Sequence, residues 1–163
     1  MIFVVAITFS VLLLTAFIIK DKHLHLFELL AIWFSVTAVN SPIYSFFLVN
    51  KHWITVSDNN ELAIIRIIYS ELLSPLIITW ILDETLTVKH KIVRYLSYLG
   101  TLGILFLGGF TLHLLGVVRF NSAGMIWYTP FKSITLIIAL LSVRSIQCLI
   151  RKDGMYDEST CNN

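Results

Sequence analysis

Four ionisable residues sit in stretches otherwise suited to lipid. Arg66 and Glu71 interrupt "LAIIRIIYSELLSP" (62–75), His113 lies in "FTLHLLG" and Lys132 in "MIWYTPFKSITLII". Insertion scales put a charged side chain at the bilayer centre at about 2.5–3.5 kcal/mol, so such a group must face the protein interior, find a partner or lose its charge. An acid and a base meeting at one depth have two uses. They can floor a polar cavity that binds a small ligand or carries a proton, or they can do no more than set helix register.

Helical geometry sorts these residues. Arg66 and Glu71 are five positions apart, about 140° around a helix axis, and do not share a face. Arg66 can reach an interface on its long stem, whereas the short Glu71 side chain cannot. Lys132 lies at similar depth on another helix and is the better expected partner for Glu71. Pro75 is expected to kink its helix and free a backbone carbonyl nearby. The candidate ligand or ion-pair residues are therefore Glu71, Lys132, Arg66 and His113.

In "DKHLHLFE" (21–28), His25 and Glu28 are three apart and neighbours on a helix face. Two ligands do not complete a metal site, so interfacial anchoring is the expectation. Cys148 and Cys161 form neither a Cys-x-x-Cys pair nor a metal-ligand spacing, so no disulfide framework or zinc site is indicated. There is no Gly-x-Ser-x-Gly elbow, no His-Glu-x-x-His helix and no phosphate-binding Walker loop. No enzyme, cofactor or metal is expected.

The elements that must hold these side chains follow from composition. The 163 residues are 57% hydrophobic and 13% charged, far from the roughly 45–50% and 25% of soluble domains. Five apolar segments, about 2–19, 24–49, 62–82, 93–116 and 125–149, are long enough to cross a bilayer core of about 30 Å as helices. The first lacks a basic leader and a cleavage site and reads as a retained span. The expectation is a single all-α, polytopic transmembrane bundle over 1–150, with a polar tail at 151–163.

Orientation follows from lysine and arginine. With the N-terminus outside, Lys20, Lys22, Lys89, Lys91, Arg94, Arg144, Arg151 and Lys152 fall inside, and only Lys51 and Arg119 fall in outer loops. N-out, C-in is expected, with Trp53, Trp127 and Tyr128 near the outer interface. The helical rise then puts Arg66, Glu71, Lys132 and His113 roughly 6, 13, 10 and 5 Å below the outer edge. "NSP" at 40–42 is expected to kink or break the second span and to leave Asn40 seeking a partner. Gly100, Gly103, Gly108 and Gly109 are expected to let a neighbouring helix approach closely.

The second half, about 60–152, resembles an uncharacterised family of small, roughly five-span membrane proteins of Bacillus- and Clostridium-type spore-forming bacteria. The resemblance lies in the acid before a proline in "ELLSP", the basic turn "VKHKIVRYL" and the polar loop entering "RFNSAGMIWYTPFKSITLIIALLSVRSIQCLIRK". Glu71 stands where the family tends to have an aspartate, and Trp127, Tyr128, Lys132 and Arg144 fall in the matching pattern. It departs at "FLGGF", where glycines replace an acid expected in the fourth span. The resemblance implies a multi-pass protein of a bacterial plasma membrane and no established activity.

The leading functional expectation is a non-enzymatic interaction or assembly subunit. Its expected partners are the lipid bilayer and, within it, another membrane protein or a second copy of the chain; nucleic acid is not expected. The alternative is a small-molecule binding or transport component using the polar cluster around Glu71 and Lys132.

Overall fold

Helix ends in this chain are set by side-chain caps as much as by loss of hydrophobicity. The apolar run of α1 (Ile2–Ile19) stops where Lys20 turns extended, and the Lys22 ammonium folds back onto the carbonyls of Phe17 and Lys20. α2 (Leu26–Ser45) opens with a capping box: the Phe27 amide donates to His25 Nδ1 at 3.3 Å, and the His25 amide donates to Glu28 Oε2 at 2.6 Å. α3 (Asn60–Ile67) starts on the Asn59 side chain, which accepts from the Glu61 amide at 2.9 Å. α5 (Lys91–Leu114) ends in a Schellman turn, with Gly116 at φ 70° and the Val117 amide donating to Leu112 O.

The computed structural model describes residues 1–152, and the tail from 153, with Cys161, lies outside them. The five long helices expected from the sequence form, each long and apolar enough to cross a membrane. The third is composite: α3 passes through a π-helical stretch, Ile68–Leu73, into α4 (Ser74–Thr87). A second π stretch, Phe46–Asn50, extends α2 beyond Pro42 without breaking it. α6 (Ser122–Lys152) contains Pro130 and runs unbroken.

The addition to an all-α reading is a short ladder at one end of the bundle. β1 (Ile54–Val56) and β2 (Val118–Phe120), from two different connections, pair antiparallel with Thr55 opposite Arg119. Asn121 then starts α6 by accepting from the Gly124 amide at 2.8 Å, while its own amide donates to Trp53 O at 3.0 Å. Gly124 is needed there, because a Cβ would sit 2.4 Å from the Trp53 carbonyl oxygen.

At the opposite end Asp83, buried in the last turns of α4, accepts from the amides of His23 and Leu24 at 2.9 and 2.8 Å. Lys20 pairs with Glu84 beside it. These contacts keep "DET" helical and carry α4 beyond 82 to Thr87, where the sequence alone suggested a loop.

α2 and α6 form the most extensive helix contact, and α4 and α5 close the bundle around them. α1 is peripheral, with Ser10 as its buried residue. The interior divides in two. Ile32, Val36, Ile78, Leu82, Leu105 and Leu136 form a core toward the Asp83 end. Tyr44, Phe47, Ile65, Tyr69, Leu112 and Val118 form another under the ladder.

Candidate functional site

A polar layer lies between those two cores. Asn40 of α2 falls between Val36 and Tyr44, Ser74 falls between Tyr69 and Ile78, and Lys132 of α6 lies one turn before Leu136. All three are buried: Asn40 is 2% exposed, Ser74 0% and Lys132 4%. The Lys132 ammonium donates to Asn40 Oδ1 at 3.1 Å and to Ser74 Oγ at 3.3 Å. It also stands 5.6 Å from the ring centres of both Tyr44 and Tyr128, close enough for a cation–π attraction. The lysine is thus held by neutral groups.

The π stretch explains why Asn40 is there. The Ser74 amide bonds back five residues to Tyr69 O. In that register the next donor, due to reach Ser70 O, belongs to residue 75, which is proline and has no N–H. Ser70 O is left without a helical donor, and the Asn40 amide supplies one at 3.1 Å. A buried carbonyl without a partner is costly in lipid. The carbonyl expected to be freed by Pro75 therefore exists, and one side chain links it to Lys132.

Two tyrosines complete the layer. Tyr69 OH donates to Leu105 O at 2.8 Å, and Tyr128 OH lies 3.3 Å from both that carbonyl and Tyr69 OH. Their rings occupy the space opened by Gly108 and Gly109: a Cβ on Gly108 would lie 2.6 Å from Tyr69 OH, and one on Gly109 would lie 2.5 Å from Tyr128 Cζ. These two glycines admit rings rather than a helix backbone. Gly100 and Gly103 meet nothing within 4 Å, so they do not serve the close packing expected of them.

The four residues singled out in the sequence are only partly brought together. Glu71 does not form the expected direct pair with Lys132; among the described residues they make no ion-pair contact, although the carboxylate acts on the lysine through space. Glu71 is half-buried in the π stretch, where Ser70 Oγ lies 3.2 Å from its Oε1. A π turn holds more residues than an α turn, so spacing counted on an ideal α-helix misplaces this segment's side chains. Arg66 is half-buried on the same span, and its Nε is buried without a hydrogen-bond partner.

His113 stands apart from the lysine. Its Nδ1 accepts from the Phe120 amide at 3.3 Å, and its ring packs against Phe110 and Phe120, so it fastens the α5 turn to β2. His25 and Glu28 cap α2, as described above, rather than ligate; no cluster of three metal-ligating side chains occurs among the described residues. Trp53 and Trp127 stack with ring centres 6.2 Å apart, while Tyr128 turns inward and is 8% exposed.

Two hollows adjoin the layer. A cavity of about 20 Å³ is lined by Asn40, Tyr44, Phe47, Tyr128, Phe131 and Lys132, among others; it has room for one water-sized occupant. A much larger apolar cleft of about 600 Å³ opens between α1, the third span and α5, with Phe9, Leu13, Ile68, Leu73, Ile77 and Ile104 on its walls.

Compared with known proteins, the chain matches no family model, no curated protein and no solved structure.

Proposed function

We propose that this chain is a non-enzymatic membrane subunit that works by association inside the bilayer of a bacterial plasma membrane. The observation that carries the reading is α1. Ser10 is its buried residue, while Val4, Val5, Phe9, Val11, Leu12 and Ile18 are exposed. A helix apolar on all sides and held along one edge leaves most of its circumference for lipid or another transmembrane helix. The resemblance noted in the sequence supports the choice of membrane.

The proposed orientation puts the ladder end outside. Its support is the basic character of the other end, where Lys20 meets Glu84 and where Arg94 and Arg144 both act on Tyr98.

A photo-reactive residue at Val4 or Leu12, activated in native membranes, tests association. A discrete adduct with a partner protein or a second copy is expected; adducts with lipid alone at both positions would overturn the reading. Orientation is read separately, in a background with Cys148 and Cys161 replaced by serine. Asp58→Cys should react with an impermeant maleimide on intact cells and Lys89→Cys should not.

The rival reading, a binding or transport component built around Glu71 and Lys132, retains one observation in its favour. The cavity beside Lys132 is polar at one wall, and its size limits the cargo to something no larger than a simple ion.

A further inference from the structure

We infer that the cavity beside Lys132 is a binding site for a small monovalent anion of halide size. This goes beyond the association reading and does not rest on it.

The first support is the lysine's own valence. An ammonium has three donors, of which Asn40 and Ser74 take two. Lys132 itself lines the cavity, and its bonded partners are neutral. The second is the local balance of charge. Arg66, Glu71 and Lys132 are the charged residues that the third and last spans bring around this layer, two cations against one acid. Arg66 is itself a cation and adds to the positive charge rather than offsetting it, and its Nε is buried without a hydrogen-bond partner. Glu71 acts on the lysine only through space. A buried positive charge is costly unless it is paired.

The third support is the shape and lining of the hollow. About 20 Å³ admits one water-sized occupant and excludes phosphate or an organic acid. Tyr44 and Tyr128 bring hydroxyl-bearing rings to the wall, and Phe47 and Phe131 close it. A metal cation is disfavoured by the lysine itself.

The test uses the full chain in detergent, at constant ionic strength, with bromide or chloride replacing gluconate. The thermal midpoint is expected to rise with halide and then saturate, as for any ligand that binds the folded state. Lys132→Met should abolish the dependence. Tyr44→Phe should weaken apparent affinity by about tenfold, the effect of losing one hydrogen bond to a charged ligand. Glu71→Gln, which removes the opposing acid, should tighten it. Equal midpoints in gluconate and bromide at every concentration, or a dependence that survives Lys132→Met, would overturn the inference. If Lys132→Met does not fold, crystals of the unaltered protein grown in bromide decide: an anomalous peak in contact with Lys132 Nζ supports the site, and a water there without anomalous signal refutes it.

Discussion

The side chain of Asn40 joins Lys132 to the backbone of another helix: its Oδ1 accepts from Lys132 Nζ at 3.1 Å while its Nδ2 donates to Ser70 O at 3.1 Å. One amide thereby answers two demands in a low-dielectric interior, a buried cation and a carbonyl that Pro75 leaves without a helical donor. Asn40→Ala should destabilise the bundle by about 1–3 kcal/mol, since hydrogen bonds between membrane helices are worth about 0.6–2 kcal/mol each and those to charged groups somewhat more. In a Pro75→Ala background the loss should shrink by about 0.5–1.5 kcal/mol, because residue 75 then has an amide to offer Ser70 O. Reversible unfolding in mixed micelles, run as a double-mutant cycle, measures both. Strict additivity would mean that Asn40 does not serve that carbonyl.

The fourth-span glycines should divide into two pairs. Gly108→Ala and Gly109→Ala press a methyl against the Tyr69 and Tyr128 rings and should each cost about 1–3 kcal/mol, as overpacking does. Gly100→Ala and Gly103→Ala meet open space and should be neutral or stabilising by up to about 1 kcal/mol through helix propensity. Thermal midpoints of the four variants, compared in one detergent, give the ordering.

Asp83 should matter more than its place at the end of an apolar run implies. Asp83→Ala leaves the His23 and Leu24 amides without their acceptor and should cost about 1–3 kcal/mol. Asp83→Asn keeps an acceptor oxygen and should cost less. Hydrogen exchange at residues 23 and 24 should speed up in the alanine variant while exchange at the ladder end stays unchanged.

The five helices were legible because about twenty apolar residues in a row satisfy both the bilayer and the backbone. The polar layer was half legible. Asn40 stood out, and its companions on α2 and α6 follow one-turn spacing: Asn40 with Tyr44, and Tyr128 with Lys132. Such i, i+4 pairs mark a helix face, but the sequence sends Tyr128 to the interface, where aromatic residues at span ends usually lie. What ideal helix counting missed was the π register at Ile68–Leu73, which changes where Glu71 and Ser74 point. Asp83 was hidden because its partners are backbone amides of another segment, which leave no pattern in side-chain spacing.

The most direct test of how the lysine is held is solid-state NMR in lipid bilayers, recoupling Lys132 Nζ to the side-chain carboxamide carbon of Asn40 and, separately, to the carboxylate carbon of Glu71. Strong recoupling to Asn40 and weaker recoupling to Glu71 is the predicted result, since the ammonium lies 3.1 Å from Asn40 Oδ1 and makes no ion-pair contact with Glu71. A Glu71 carbon nearer than that of Asn40 would contradict it and restore the acid–base pair as the centre of the bundle.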